Sequence, residues 1–394
     1  MSSPDFIPFA VPDIGEAEIE AAAGAIRSGW LTTGANARAF EEEFVADLVG
    51  SRPDAGRSYE GIAVNSATSG LHLALEALGI VAGDEVIVPT WTFTATAEVV
   101  RYLGATPVIV DVDPHTLNID FAAAAAAVTP RTKAIIPVHF AGLPVDRETL
   151  ATFARTHGLK VIEDAAHSHP VASSGVAVGL GESDAVVFSF YATKTMTTGE
   201  GGMIVTADPA LAKRMRTMRL HGISRDVFDR YTSTSPSWHY EVVAPGFKYN
   251  LTDPAAAMGR VQLTRSREMK DKRSAIAARY DAAFEGLPVR RPARPVAPDT
   301  EHAWHLYVLR LTEQAGMSRD EFIAAMAEAG VGTSVHFIPL HHHPVWARLR
   351  GPEAPALSCA DTEFASVVSL PIFSAMTDDQ VERVISGVTT ILSS

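Results

Sequence analysis

From about residue 60, short apolar segments alternate with helical patterns, and this alternation constrains the fold more than any other feature. The apolar runs "GIAVNS", "DEVIVP", "TPVIVDV" and "TKAIIPV" are each followed by a helical stretch, and "KVIEDA" closes the series. Such a series predicts βαβ units and a mainly parallel sheet. Two later runs, "DAVVFSF" and "GGMIVT", predict two more strands. We therefore expect a large α/β domain.

The C-terminal part of the chain has a different pattern. A long helical stretch runs from Pro254 to Phe284, and a Pro/Arg-rich linker, "RPARPVAP", follows it. A strand, "WHLYVLRL", then precedes two helices that open at Ser318 and Thr377 with capping-box spacing. We expect a smaller α+β domain here. The predicted divisions are an N-terminal segment at 1–30, a large domain at 31–270 and a small domain at 271–394.

Charge and composition exclude some classes of function. The 394-residue chain carries a net charge of −13, whereas nucleic-acid and anionic-membrane binders are more often basic. No apolar run approaches the roughly 18 residues of a membrane span, and the first residues lack signal-peptide character. The one cysteine, Cys359, fits a reducing cytoplasm. Richness in alanine and arginine indicates specialised metabolism, such as antibiotic biosynthesis.

Polar residues converge at one edge of the predicted sheet. Thr68 and Ser69 lie in "NSATSG" between a strand and a helix, while Asp164 and Ser189 end two other strands. Lys194 follows in the turn "FSFYATKTMTTGEGG". Ligands bind beyond the carboxyl ends of parallel strands. This edge therefore offers hydroxyl groups, a helix N-terminus, a carboxylate and an amine to one ligand.

Pyridoxal 5'-phosphate (PLP) requires such a set of groups. Its phosphate suits hydroxyls and a helix N-terminus, its pyridine nitrogen a carboxylate, and its aldehyde a lysine amine. An aromatic ring can cover the cofactor ring, and Phe93 and Trp91 are the two candidates. Each element alone has a simpler interpretation as a helix cap, a turn residue or a solvated lysine. Their joint occurrence favours PLP.

The histidines raise the alternative of a metal site. His167 follows Asp164 in "EDAAHSHP", and three consecutive histidines, 341–343, lie in "VHFIPLHHHP". Adjacent histidines are not expected to point all into one site, and no zinc-ligand spacing is present. We therefore expect no metal. His167 is predicted to bond the Asp164 carboxylate or to contact the cofactor.

Several motifs together resemble the DegT/StrS family of nucleotide-sugar aminotransferases, which are fold-type I PLP enzymes. They are "SGWLTTG", "NSATSGLHLAL", "DEVIVPTWTFTAT", "VIEDAAH", "FSFYATKTMTTGEGG", "PGFKYNLTDPAAAMGRVQL" and "HAWHLYVLRL", in this order along nearly the whole chain. The resemblance implies a homodimer with shared active sites. Dehydratase relatives carry histidine in place of the lysine, so Lys194 indicates the aminotransferase branch.

The resemblance also implies roles for individual residues. Lys194 would hold PLP covalently, and Asp164 would pair with the pyridine nitrogen. The remaining cofactor contacts would come from Thr68, Ser69 and Ser189 at the phosphate, Phe93 on the ring, His167 beside it, and Asn250 at the partner subunit's phosphate.

The implied reaction transfers an amino group from L-glutamate to carbon 4 of a TDP- or UDP-linked 4-keto-6-deoxy sugar. Thr33, Trp91 and His336 are the candidate substrate contacts. Amination at carbon 3 is the alternative within the same chemistry. An amino-acid substrate would require an arginine for its carboxylate, and Arg310 is the candidate. A non-enzymatic PLP- or sugar-binding regulator is a further alternative.

Overall fold

The computed structural model describes residues 6–51, 56–223 and 240–393. Nine strands precede residue 207: β1 (Glu60–Val64), β2 (Glu85–Pro89), β3 (Thr106–Val110), β4 (Thr132–Ile135), β5 (Lys160–Asp164), β6 (Ala172–Ser173), β7 (Val176–Ala177), β8 (Ala185–Ser189) and β9 (Gly202–Thr206). Seven of them form one sheet in the order β1-β9-β8-β5-β4-β2-β3, and β6 pairs with β7 separately. Within the large sheet only β9 runs antiparallel to its neighbours. The sheet is mainly parallel, as predicted.

Helices cover both faces of this sheet. They are α1 (Glu16–Arg27), α2 (Ala35–Ser51), α3 (Ala67–Ala77), α4 (Ala95–Tyr102), α5 (Phe121–Ala126), α6 (Arg147–His157), α7 (Pro209–Met218) and α8 (Asp253–Ala283). Along β8, Val187 packs into the core beneath α3, α4 and α7, while Phe188 packs into the core beneath α2 and α8. Successive side chains of a strand point to opposite faces, so two covered faces require near-continuous apolar strands.

The C-terminal part forms a second, smaller sheet. Its antiparallel strands are β10 (Val289–Arg290), β11 (Tyr307–Leu311) and β12 (Val367–Leu370), and its helices are α9 (Arg319–Glu328), α10 (Pro344–Arg350), α11 (Ser358–Phe364) and α12 (Asp378–Leu392). The predicted capping boxes at Ser318 and Thr377 are both formed. Residues 291–298 lie in the connection between β10 and β11. Across the described ranges, no helix combines the length and apolar character needed to cross a bilayer.

The N-terminal segment contacts both parts of the molecule. Ile7 pairs with Val331 beside the small sheet, and α1 packs along α8, where Glu18 accepts bonds from Gln262 and Arg265. Helix α8 passes through residue 270 without a break. The division of the chain at 30 and 270 stays a prediction, and its second boundary lies inside this helix.

Candidate active site

A cavity of about 510 Å³ lies at the carboxyl ends of β1, β5 and β8. Seven of the residues singled out from the sequence line it together: Thr68, Phe93, Asp164, His167, Ser189, Lys194 and His336. Asp164 and Ser189 are the last residues of their strands, and Thr68 lies in the first turn of α3. The topology thus brings these positions to one sheet edge, in agreement with the rule for parallel sheets.

The turn that carries Lys194 is closed by backbone bonds. Phe190 N–H donates to the Gly201 carbonyl at 2.9 Å, and Lys194 N–H donates to the Tyr191 carbonyl at 3.0 Å. The Lys194 side chain is partly accessible through the cavity. Burial lowers its pKa from the usual 10.5 to about 8, although the negative charge of Asp164 opposes this shift. A substantial fraction of neutral amine is therefore present near neutral pH.

The Asp164 carboxylate is buried and held by two donors. Oδ2 accepts from the Thr96 hydroxyl at 2.9 Å, and Oδ1 accepts from the Ala166 N–H at 3.2 Å. Burial raises the pKa of Asp164, while these bonds and the charge of Lys194 act in the opposite direction. Thr92, at 2.7 Å from the Thr96 hydroxyl, extends the network. The sequence reasoning missed both threonines, although "TFTAT" places them four residues apart beside α4.

At the N-terminus of α3, the serine that lines the cavity beside Thr68 is Ser66, whereas the sequence predicted Ser69. Ser66 caps the helix by accepting from the Ser69 N–H at 3.1 Å, and it lines the cavity with Thr68. Ser69 is buried below the lining, where its hydroxyl donates to Asn65 Oδ1. The Ser69 hydroxyl is thus bonded to Asn65 and is not part of the cavity lining, and its contact with a ligand stays a prediction.

Gly202 explains how α3 comes so close to the strands. A Cβ at this position would lie 2.8 Å from the Phe188 carbonyl oxygen and 2.9 Å from the Ala67 N atom. Both are backbone atoms of fixed elements, so any larger residue would push the helix start away from β9. The last glycine of "GEGG" is therefore required by packing.

Two histidine rings stack at the side of the cavity. The ring centroids of His167 and His305 lie 4.1 Å apart, and Phe337 stacks on His167 with a centroid distance of 5.9 Å. Burial holds the pKa of both histidines well below the usual range, so both rings are neutral. Among the described residues, Nδ1 of His167 has no hydrogen-bond partner. The donors to Asp164 are Thr96 and Ala166 rather than His167, and His305 was not singled out from the sequence.

Aromatic residues and His336 form the outer wall. Phe93 is 59% exposed and lines the cavity. His336 stacks on Phe9 at 5.0 Å and shares a 3.1 Å bond with Ser369 Oγ; burial lowers its pKa to about 4. Trp91 is 0% exposed and donates from Nε1 to the His336 carbonyl. This ring supports the His336 segment from beneath and is not part of the cavity lining, so its contact with a ligand stays a prediction.

Two other predicted residues lie outside the cavity lining. Asn250 donates from Nδ2 to the Thr33 hydroxyl at 2.7 Å, and that hydroxyl donates to the Leu251 carbonyl at 2.7 Å. Thr33 is buried and Asn250 is half-buried. The structure therefore brings these two residues to each other. Their contacts with a substrate or a partner subunit stay predictions.

Arg310 is unavailable to an amino-acid carboxylate. Its guanidinium is buried on β11 and donates to the carbonyls of Pro114 at 2.6 Å and His115 at 3.0 Å. It also pairs with Glu363. These contacts give Arg310 a structural role away from the cavity.

Comparison with known proteins identifies close relatives over almost the whole chain. Residues 12–389 match the DegT/DnrJ/EryC1/StrS aminotransferase family. The spore coat polysaccharide biosynthesis protein SpsC of Bacillus subtilis is 44% identical over 390 residues, which cover 98% of this chain and 97% of SpsC.

Solved structures give the same picture. Spr1654 from Streptococcus pneumoniae in its PLP form is similar with a TM-score of 0.86 and 31% identity, covering 98% of this chain and 99% of that one. The sugar aminotransferase CalS13 from Micromonospora echinospora has a TM-score of 0.84 and 29% identity, with coverage of 98% and 99%.

Proposed function

The chain belongs to the DegT/DnrJ/EryC1/StrS aminotransferase family, and from this membership we propose a specific reaction for it. The enzyme, with PLP as its cofactor, transfers an amino group from L-glutamate to carbon 4 of a nucleotide-linked 4-keto-6-deoxy sugar. The nucleotide is TDP or UDP. The observation that carries the proposal is the placement of the Lys194 amine and the Asp164 carboxylate on one cavity.

The groups around the cavity fit PLP. The Asp164 carboxylate is buried with only two donors, the pKa of Lys194 is lowered, and a buried ring nitrogen of His167 has no hydrogen-bond partner among the described residues. Burying such polar groups costs free energy unless a polar ligand forms the missing bonds. We assign the phosphate to the hydroxyls of Ser66 and Thr68, to Ser189 and to the free N–H groups of the first turn of α3. Phe93 lies where it can cover the cofactor ring.

PLP, when bound, supplies an electron sink for the charge that develops when a proton leaves the adjacent carbon. The Asp164 carboxylate would pair with the pyridine nitrogen of PLP and keep that nitrogen protonated. Lys194 would serve as the general base that accepts a proton from the amino donor, and then as the general acid that releases it. A lysine with a pKa of about 8 suits both steps at neutral pH.

The sugar nucleotide is assigned to the outer part of the cavity. His336, neutral because of its low pKa, can donate or accept a hydrogen bond there without adding charge. A homodimer is part of the proposal, with Asn250 reaching the partner subunit's phosphate. The Asn250–Thr33 contact lies next to Leu31, a 55% exposed apolar residue that a partner would cover. A cytoplasmic location is also proposed, supported by a single cysteine in the chain.

The reaction is tested with purified enzyme, PLP and L-glutamate. TDP- and UDP-linked 4-keto-6-deoxyglucose and the matching 3-keto sugars are supplied in parallel, and products are identified by mass spectrometry and NMR. We expect 2-oxoglutarate and a 4-amino sugar nucleotide in equal amounts. A product aminated at carbon 3 would contradict the position. Failure of all keto sugars, with glutamate still bleaching the cofactor colour, would contradict the substrate class.

A further inference from the structure

Two neighbouring histidines and one aspartate form a compact cluster on the small-sheet side of the molecule. His341 and His342 lie in the 3₁₀ turn Leu340–His342, and their Nε2 atoms are 2.9 Å and 2.6 Å from the same oxygen, Oδ1 of Asp361. One potential ligand atom from each residue lies within 4.8 Å of the others. The tight turn brings both rings to one side, and the third histidine of the run, His343, is not part of the cluster.

We propose that His341, His342 and Asp361 bind one divalent transition-metal ion of the zinc type. Two imidazole nitrogens and one carboxylate oxygen are a ligand set that Zn²⁺ and Co²⁺ accept, with water at the fourth position. This site is separate from the PLP cavity, whose lining contains none of the three residues.

Thr90 provides a second, independent observation. Its side-chain hydroxyl is fully buried and lies 2.7 Å from Nδ1 of His341. Without an ion, the neutral His341 ring donates from Nε2–H to Asp361, and Nδ1 accepts from the Thr90 hydroxyl. When an ion binds, the hydroxyl would instead accept a hydrogen bond from Nδ1–H, and the lone pair of Nε2 would face the ion. Metal-ligating histidines usually have such a partner on the other ring nitrogen, which fixes both tautomer and orientation.

The charge states of the cluster also suit a cation. Burial lowers the pKa of His341, and bonds from His342 and His341 lower the pKa of Asp361. A neutral imidazole and an ionised carboxylate are the forms that bind metals. Arg350 is the cation that acts on both groups, and its guanidinium donates to the Pro355 carbonyl at 2.6 Å.

A bound ion would join two elements, the 3₁₀ turn Leu340–His342 and helix α11. The 3₁₀ turn is fixed to the end of β2 through the Leu340 N–H, which donates to the Thr90 carbonyl. Helix α11 carries Asp361, and its Cys359 and Ala360 N–H groups donate to Asp111 beyond β3. The ion would therefore crosslink α11 to the segment that begins at His336, and it would stabilise the outer wall of the cavity.

The proposal is tested by adding Co²⁺, and then Zn²⁺, to chelator-treated, PLP-loaded enzyme. We expect one Co²⁺ per chain by calorimetry, with visible absorption typical of a four-coordinate site that Zn²⁺ displaces. His342→Ala and Asp361→Asn should each weaken binding by about 10–100-fold or more. Losses of this size follow even when only a residue that hydrogen-bonds a metal ligand is replaced. His343→Ala is the matched control and should bind as the wild type does.

The melting temperature gives a second readout. Zn²⁺ should raise it for the wild type and His343→Ala, but not for Asp361→Asn, and all variants should melt alike with chelator. Thr90→Val should weaken Co²⁺ binding while keeping the three ligands. Equal affinity of the wild type and Asp361→Asn, or no saturable binding by the wild type, would overturn the proposal.

Discussion

The hydroxyl of Thr96 donates a 2.9 Å hydrogen bond to Oδ2 of Asp164. It joins the start of α4 to the end of β5, two elements separated by 68 residues. The bond acts against the burial that raises the pKa of Asp164, so it favours the ionised carboxylate that the cofactor requires.

Replacing Thr96 should therefore weaken PLP binding without removing the carboxylate. Bonds to charged groups contribute about 1.5–3 kcal/mol, so Thr96→Val is expected to reduce PLP affinity by about tenfold or more. Titration of apoenzyme with PLP measures this. Thr92→Val, which loses a contact only with Thr96, should have a smaller effect. The reverse order of the two variants would contradict the assigned role of Thr96.

The amine of Lys194 is expected to be indispensable. Lys194→Ala should abolish transamination and covalent attachment of PLP, because the chain then offers neither the amine nor the base at the cavity. Borohydride reduction followed by intact-mass measurement detects the attachment. Lys213→Ala, at an exposed position of α7, is the control and should retain both properties. Normal turnover by Lys194→Ala would refute the mechanism.

The pH dependence of PLP attachment follows from the pKa of Lys194. Only the neutral amine attacks an aldehyde, and burial lowers this pKa from 10.5 to about 8. The attachment rate should rise with pH and level off above about 8. The negative charge of Asp164 raises the Lys194 pKa, so Asp164→Asn should move the rise to lower pH. Stopped-flow absorbance measures both curves, and a rise centred near 10 would contradict the structure.

His336 should affect the sugar half of the reaction and not the glutamate half. With a pKa of about 4, it is neutral at pH 7 and contributes a hydrogen bond. Losing one such bond costs about 0.5–1.5 kcal/mol, so His336→Ala should lower kcat/KM for the keto sugar roughly two- to tenfold. His336→Gln should recover part of this loss. Single-turnover measurements with each substrate separate the halves; an equal loss in both would argue against a substrate contact.

The buried ion pair between Glu41 and Arg219 should dominate local stability. Glu41 also accepts from the Ala63 N–H, and both charged side chains are buried beneath the edge of the sheet. Glu41→Gln leaves a buried guanidinium without a counter-charge, which costs about 3–5 kcal/mol. Thermal melting should show a clear decrease. Glu20→Gln, which breaks the exposed pair with Arg27, should change little.

The fold was predictable because its determinants are local. Apolar strands and helical patterns fixed the mainly parallel sheet, and the strand ends placed Asp164, Ser189 and Lys194 at one edge. The family match and the similar solved structures confirm the fold class and the aminotransferase assignment. The helix caps at Ser318 and Thr377 could also be predicted from the sequence, since a capping box depends on residues only three positions apart.

The sequence does not reveal side-chain directions that depend on distant residues. Ser69 faces Asn65 and not the cavity, and Trp91 is held inward by a carbonyl 245 residues away. His305 meets His167 only because β11 is preceded by a segment that crosses to the large sheet. No local pattern encodes these contacts. The four-residue spacing of Thr92 and Thr96 in "TFTAT" could have suggested a contact between them. The bond from Thr96 to Asp164 depends on the order of the strands in the sheet, which the spacing does not give.

The closure of the lysine turn onto β8 and β9 has a consequence for how such an enzyme can change its specificity. The turn that carries Lys194 connects β8 and β9, two hydrogen-bonded strands of the large sheet, and this inner wall positions the amine. Phe9, His336 and Phe337 line the same cavity from chain regions outside that sheet. The two walls are encoded separately. Substitutions in the outer wall can therefore change which sugar is bound without moving the Lys194 amine.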